Sequence, residues 1–495
     1  MFTRDMEQRK SERNFKMGEL YRKIKEYVQE DYYPYHMPGH KRNLLGSTAL
    51  PVAEIDITEI DGFDNLHNAT QVLKRLQDKA ASVYGAEESF YLVNGSTSGI
   101  LSAVSAALPA GGKLLMARGC HKSAYHAVYL RDLEVKYLWS GENEDYGCNL
   151  AVTPQQVEQA LLEDGGIQAV FIVSPTYEGM VADVAAIARV VHKRGIPLIV
   201  DEAHGAHFGF HPAWPENSCR LGADLVVHSL HKTLPSMTQT AILHVNGELI
   251  NRDRLKRFLQ IYQSSSPSYV LMASMEDAIE ITSLRAEELF DAFLRQWNNM
   301  LRKLDGCKWI KILQEESMDI GKLVIRDSSG VFSGQQLYRL LQDRFHLQME
   351  MAAGSYVLAM FTIGDKEEAY ERMTKALLEI DRECGKKAEA ASFGNKKHKT
   401  DAIYRNVRLS TKQRIPLKQA WDCETIEVAL EESPQHIAGE FIYLYPPGIP
   451  LIVPGEEFTE EISLLIKRDI DMGCNVQGVI NHNGRFYVKV VDKRA

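Results

Sequence analysis

Lys232 stands in the run Ser229-Leu230-His231-Lys232-Thr233-Leu234, directly after the apolar stretch Leu225-Val226-Val227. A lysine at the end of a buried strand is shielded from water, and an amine whose pKa is depressed in that way can form an imine with an aldehyde cofactor. In isolation a lysine is a surface charge, as most of the 57 Lys and Arg residues of the chain must be. The surroundings reverse that reading. Asp201 follows Ile196-Pro197-Leu198-Ile199-Val200 and so stands at another strand tip. A carboxylate held there against a pyridine nitrogen would keep that nitrogen protonated and let the ring accept the electron pair of a breaking bond. The competing assignment for Asp201 is the N-cap of a helix that follows it. Asn94-Gly95-Ser96-Thr97-Ser98-Gly99 lies between the strand pattern Phe90 to Val93 and the helix pattern Ile100 to Leu108. Backbone N–H groups at a helix start, aided by hydroxyls, make an anion site suited to phosphate. His121, after the strand pattern Lys113 to Met116, could stack on a ring, and Ser229 and His231 flank the lysine. Each of these three is as readily a structural group.

The elements that must position these residues are legible as a pattern. Short apolar runs (Ser89 to Val93, Lys113 to Met116, Ala169 to Val173, Pro197 to Val200, Asp224 to Val227) alternate with helix-length amphipathic stretches. That alternation predicts an α/β architecture with a mostly parallel sheet. In open α/β sheets ligands sit at the carboxyl ends of the strands. The tips Asn94–Thr97, Gly119–Lys122, Ser174–Tyr177, Asp201–His204 and His228–Lys232 are therefore expected to meet in one crevice.

Around that unit the chain divides into five expected parts. Residues 1–50 read as an N-terminal arm: a charged helix pattern, then Tyr32 to Lys41, where two prolines and a glycine stop any helix. Residues 51–310 form the large domain, ending in a long helical stretch from Asn251 to about Leu304, and 311–383 a smaller α/β domain. The Lys- and Ala-rich stretch 384–400 reads as a linker or exposed loop, and 401–495 as a C-terminal α+β domain.

A chain of 495 residues, 45% of them hydrophobic, can bury two or three cores. Its formal charge of -9 lacks the basic excess of a non-specific nucleic-acid binder. No run of about 18 apolar residues suggests a membrane span, and the charged N-terminus has no apolar signal region. The seven cysteines are scattered without a CxxC pair, which indicates neither a zinc site nor a disulfide framework and fits a reducing cytoplasm.

Six segments in order carry a resemblance: His36-Met37-Pro38-Gly39-His40-Lys41, Asn94-Gly95-Ser96-Thr97-Ser98, His121-Lys122-Ser123, Ser174-Pro175-Thr176-Tyr177-Glu178-Gly179, Asp201-Glu202-Ala203-His204-Gly205-Ala206-His207 and Ser229-Leu230-His231-Lys232-Thr233-Leu234. Together they resemble the Orn/Lys/Arg decarboxylase family of fold-type I pyridoxal-phosphate enzymes, and Tyr445 to Glu456 resembles that family's C-terminal domain. The resemblance implies a pyridoxal-phosphate-dependent carboxy-lyase in which Lys232 carries the cofactor as a Schiff base, Asp201 pairs with the pyridine nitrogen and His121 stacks on the ring. It further implies that Ser96, Thr97, Ser98, Thr176, Ser229 and His231 contact the cofactor, chiefly at its phosphate, and that His204 lies near its 3'-oxygen or the substrate. The Pro-Gly-His-Lys motif already appears at residue 38, so the chain looks like a short form without the N-terminal receiver-like domain of longer members. Fold-type I sites are usually built at a dimer interface, which implies at least a homodimer, with the Asp56 to Asn68 segment a candidate to reach across it.

The implied reaction converts a basic amino acid, arginine or lysine ahead of ornithine, to its amine and carbon dioxide, feeding polyamine metabolism. A distal cation calls for carboxylates; Asp56, Glu59, Asp61, Asp64 and Glu178 are candidates, although an acidic run is more often a solvated face. The rivals are an aminotransferase or C–S lyase on the same scaffold and a non-catalytic regulatory homologue. Gln348 to Tyr356 contains no arginine to clamp an α-carboxylate, which favours decarboxylation, and intact Lys232 and Asp201 disfavour a dead homologue.

Overall fold

The apolar runs form the strands of a seven-stranded sheet in the computed structural model, which describes residues 33–35, 64–392, 411–446 and 448–492. The N-terminal arm, apart from β1 (Tyr33–Tyr35), the Pro-Gly-His-Lys motif, and Asp56, Glu59 and Asp61 of the acidic run lie outside the described residues. The large sheet is built from β2 (Glu88–Leu92), β3 (Lys113–Ala117), β4 (Glu134–Leu138), β5 (Ala169–Val173), β6 (Leu198–Asp201), β7 (Leu225–His228) and β8 (Ala241–Val245). Their spatial order is β2-β8-β7-β6-β5-β3-β4. The pairs from β4 through β7 are parallel, and β8 runs antiparallel to both of its neighbours, so six of the seven strands point the same way.

Helices cover both faces, which is why the central strands read as continuous apolar runs. In β6, Leu198 and Val200 enter one core while Ile199 enters the other; in β7, Val226 and Val227 divide in the same way. The helix Gly95–Ala107 lies especially close to the sheet: a Cβ on Gly99 would come within 2.5 Å of Leu92 Cδ1 and 3.0 Å of Val227 Cγ1. The expected long helical stretch is three helices, Arg252–Tyr262, Tyr269–Leu284 and Ala286–Leu304, divided by the Ser- and Pro-containing turn before Tyr269 and by Arg285.

Beyond these helices, β9 (Ile310–Ile312), β10 (Lys322–Asp327), β12 (Met351–Ala352) and β13 (Tyr356–Met360) make an antiparallel sheet of order β12-β13-β10-β9, while β11 (Leu347–Met349) pairs in parallel with β1. The helix Glu367–Ser392 packs against the last of the three large-domain helices and continues past Glu383. The stretch expected as a linker from 384 is thus helical up to Ser392, because its Lys, Ala and Glu residues are strong helix formers that extend the element before them. At the C-terminus, β14 (Thr425–Ala429), β15 (Ile442–Leu444), β16 (Ile449–Ile452), β17 (Val476–Gln477), β18 (Val479–His482) and β19 (Arg485–Val491) form two three-stranded sheets beside the helix Glu460–Asp471. That unit is tied to the large one by the buried pair Arg118–Glu456 (3.0 Å), in which Arg118 also donates to the carbonyl oxygen of Pro450 at 2.8 Å. Among the described residues no helix is long and apolar enough to cross a membrane.

Candidate active site

All five predicted strand tips meet. A cavity of about 280 Å³ is lined by Gly95, Ser96 and Thr97 after β2, Gly119 and His121 after β3, Val173, Pro175 and Tyr177 after β5, Asp201, Ala203 and His204 at the end of β6, and His231 and Lys232 after β7. The convergence follows from the common strand direction, which brings the carboxyl ends to one edge of the sheet.

Lys232 lies in the single helical turn Leu230–Thr233. Its Nζ is 3.1 Å from His204 Nε2. Burial lowers its pKa, opposed by the nearby carboxylates of Asp201 and Glu350. Asp201 is buried, and its Oδ1 accepts a 3.1 Å hydrogen bond from the Ala203 N–H. No helix follows it, so the N-cap assignment does not apply. Burial pushes its carboxyl above the ordinary range, while Lys232 and the Ala203 N–H pull it down. A buried carboxylate with one hydrogen bond is a site at which an added cation would be strongly held.

His121 N-caps the helix Lys122–Arg131, its Nδ1 accepting from the Ser123 N–H at 3.2 Å. Burial and, next, Lys232 push its pKa down to about 3, so the ring presented to the cavity is a neutral imidazole. His231 Nδ1 donates to the carbonyl oxygen of Thr240 at 2.8 Å, which orients that ring. His204 is buried, with the Tyr177 ring edge-on at 4.7 Å.

The phosphate side has two observations in its favour. The helix Gly95–Ala107 has no side-chain cap, because the Asn94 carboxamide oxygen accepts from the Ser264 N–H at 2.9 Å instead. The helices starting after Thr153, Asp183, Asn251, Ser268 and Ser333 all have one. Its first-turn N–H groups therefore face the cavity as open donors beside Ser96 and Thr97. Ser229 is fully buried, and its Oγ has no hydrogen-bond partner among the described residues. A pyridine aldehyde bearing a phosphate fits this set: uncapped donors and an orphaned hydroxyl for the anion, a buried carboxylate for the ring nitrogen, and a desolvated amine for the aldehyde.

Three of the expected contacts are not on the cavity wall. Ser98 Oγ donates to the carbonyl oxygen of Gly95 at 2.8 Å within the helix, and Thr176 Oγ1 accepts from the Met180 N–H at 3.1 Å to close its turn. Ser229 is not among the lining residues either, although it adjoins them. Asp64 spends its carboxylate on the N–H groups of Thr70, Gln71 and Leu73. Conversely, Glu350, Tyr445, Pro446 and Ile449 line the cavity without having been assigned a part in it. The Tyr177 hydroxyl donates to Glu350 Oε1, and the last three come from the C-terminal unit. Lys322, fully inside the protein at the start of β10, places Nζ 2.8 Å from His204 Nδ1. Glu178 lines a neighbouring cavity of about 190 Å³, with Oε1 on the Tyr356 hydroxyl at 2.7 Å.

Comparison with known proteins gives a consistent picture. Residues 19–357 match the Orn/Lys/Arg decarboxylase major domain and residues 397–468 the Orn/Lys/Arg decarboxylase C-terminal domain. An arginine decarboxylase of Bacillus subtilis is 30% identical over 477 residues, covering 93% of this chain and 95% of its own. The inducible lysine decarboxylase of Escherichia coli is 22% identical, covering 95% of this chain and 80% of its own. Among solved structures, the lysine decarboxylase of Francisella novicida superposes with a TM-score of 0.74 at 18% identity, over 90% of this chain and 74% of that one.

Proposed function

The chain belongs to the Orn/Lys/Arg decarboxylase family, and on that premise we propose that it is the arginine-directed member of this group of pyridoxal-phosphate carboxy-lyases of basic amino acids, with Lys232 as the attachment point of the cofactor. The observation that carries the assignment is the desolvated Lys232 amine sharing one cavity with the buried Asp201 carboxylate and an uncapped helix N-terminus. When bound, pyridoxal phosphate supplies an aldehyde that takes up the substrate amine and a ring that accepts the electron pair left when the bond from Cα to the carboxylate breaks.

The chain's own residues have these proposed parts. Ser96, Thr97 and the helix N-terminus, with Ser229 and His231, hold the phosphate. Asp201 keeps the ring nitrogen protonated and His121 covers the ring face. His204 Nε2, 3.1 Å from Lys232 Nζ, holds that amine in place at the cavity wall. Glu350, buried in the cavity wall, meets the distal cation of the substrate; a planar guanidinium matches a carboxylate through two parallel hydrogen bonds, which favours arginine over an ammonium. The relation to arginine decarboxylases along nearly the whole chain supports the same choice.

The finer proposals are that the enzyme works as a homodimer in the cytoplasm, where its seven free cysteines would stay reduced, and that its amine product enters polyamine metabolism. One assay tests the activity: incubate the protein with pyridoxal phosphate and arginine, lysine or ornithine in turn, and identify products by mass spectrometry. Agmatine from arginine is expected. Cadaverine from lysine at a higher rate would reassign the substrate, and an oxo-acid in place of an amine would overturn decarboxylation.

A further inference from the structure

Two lysines meet one imidazole at the cavity. His204 presents Nε2 to Lys232 Nζ at 3.1 Å and Nδ1 to Lys322 Nζ at 2.8 Å. A neutral imidazole has one N–H and one acceptor nitrogen, and an ammonium only donates. Two ammonium groups therefore cannot both be satisfied by this ring, and a protonated ring would face two donors with two donors. With both contacts made, one lysine is a neutral amine.

The surroundings decide which. Lys322 is 2% exposed, and its charge helps to hold the buried carboxyl of Asp319 below its ordinary range and opposes the rise that burial imposes on Glu178, while the Tyr177 ring centroid lies 5.8 Å from its Nζ. Asp319 is in turn bound by His207 Nε2 at 3.0 Å and by the Gly321 N–H at 2.9 Å, which fixes that carboxylate as an anion beside the lysine. The stem of Lys322 is clamped as well: Gly179, at φ 108°, packs so closely that a Cβ there would come within 2.7 Å of Lys322 Cγ. The charged groups acting on Lys232 are Asp201 and Glu350, and the proposed reaction commits these to the ring nitrogen and the substrate cation. His204 feels His231 and His121 in addition to the two lysines; burial first and then these groups hold it neutral.

We propose that Lys322 is a positioning residue for the cofactor-bearing lysine: donating to His204 Nδ1, it locks that ring as the Nε2–H tautomer, which can only offer a hydrogen to Lys232 Nζ and so keeps the amine unprotonated and nucleophilic. The inference rests on the reading that Lys232 carries the cofactor. In that condensation the Nζ lone pair makes the new bond to the aldehyde carbon, both Nζ hydrogens leave with the aldehyde oxygen as water, and nothing is oxidised or reduced. Without the Lys322 cation, His204 can adopt the other tautomer and accept from a Lys232 ammonium, so the pH at which Lys232 becomes reactive rises.

The test uses the full-length chain freed of cofactor. It is mixed with pyridoxal phosphate from mildly acid to strongly alkaline pH and trapped with borohydride, and the adduct on Lys232 is quantified by peptide mass. Replacing Lys322→Met, which keeps the length and removes the charge, is expected to move the midpoint of trapping upward by about one pH unit, about tenfold slower attachment at neutral pH. Lys322→Arg, which keeps a cation and donor, is expected to restore most of it. Coincident pH profiles for wild type and Lys322→Met, or a uniform loss without a shift, overturn the proposal. Absence of any adduct on Lys232 in the wild type instead overturns the cofactor assignment beneath it. Should Lys322→Met fail to fold, the 15N resonances of His204 in the wild type decide: the Nε2–H tautomer supports the lock and Nδ1–H overturns it.

Discussion

Asp201 and Glu202 are adjacent, both acidic and both buried, yet they serve two clusters of opposite character. Asp201 faces the cavity with one backbone hydrogen bond and Lys232 nearby. Glu202 points away from it into a sealed chain: Oε1 accepts from the Ser218 hydroxyl at 2.6 Å, and Oε2 from the Ser218 N–H at 3.0 Å and meets His228 Nε2 at 2.6 Å. His228 Nδ1 then meets His244 Nε2 at 3.1 Å, and His244 Nδ1 the Ser89 hydroxyl at 2.6 Å. The Tyr84 ring lies against both histidines, at 4.8 and 4.7 Å. Residue types and burial are alike in the two clusters; what differs is hydrogen-bonding capacity left over. The sealed chain has each nitrogen and oxygen engaged, which makes it structure. The open cluster keeps a half-satisfied carboxylate, an orphaned hydroxyl and an uncapped helix, which makes it a binding site.

The sharpest way to break this contrast is to remove the reacting groups. Lys232→Ala is expected to abolish covalent cofactor attachment and turnover, while leaving thermal stability near wild type because the side chain borders a cavity. Turnover at the wild-type rate would remove the central assignment. Asp201→Ala is expected to slow decarboxylation by at least about a thousandfold, about 4 kcal/mol in the barrier. A loss below about tenfold would mean that Asp201 only shapes its turn.

On the sealed side the ranking of effects should invert. His228→Phe keeps a ring against Tyr84 but strips both Glu202 and His244 of a partner. The expected cost is about 3 kcal/mol of stability, read by urea unfolding, since each buried group left unpaired costs about 1–3 kcal/mol. The turnover number of the folded variant should stay within about threefold of wild type on the same argument. A large rate loss with unchanged stability would show that the sealed chain takes part in the chemistry.

Much of the open cluster was legible because strand tips announce themselves: an apolar run followed at once by Asp201, Lys232 or the Gly95–Thr97 turn says where a side chain emerges. The sheet followed from the same runs. Lys322 was not legible, since its partner His204 is 118 residues away and only the docking of β10 beside the large sheet brings them together. Glu350 lies in a segment whose only sequence signal was its lack of arginine, and Tyr445, Pro446 and Ile449 reach the cavity from a unit that docks through the buried Arg118–Glu456 pair and the apolar contacts of Leu417, Phe441 and Val453. Ser98 and Thr176 erred the other way: a hydroxyl near a site is readily consumed by its own backbone, as both are.

The smallest expected effect, read over a single pH unit, discriminates most finely, because Glu202→Gln changes only a proton. Burial, the largest influence, raises the Glu202 carboxyl from 4.5 to about 8, against the opposing hydrogen bonds from Ser218. Burial likewise pushes His228 down to about 3, so its neutral ring can accept from a protonated Glu202. A carboxyl whose pKa is higher in the folded state than in the unfolded state binds its proton more tightly when folded. Its contribution to stability is complete below the unfolded value of 4.5 and is lost as pH rises through about 8. Across that window the wild type should therefore lose up to about 1.4 kcal/mol per pH unit relative to Glu202→Gln, which carries a permanently neutral group of the same shape. Near pH 5 the two proteins should unfold at nearly the same urea concentration, and by pH 9 the glutamine variant should be the more stable. Parallel stability profiles would mean that Glu202 is already ionised in the folded chain, with His228 donating to it, and the sealed cluster would then hold a buried charge as the open one does.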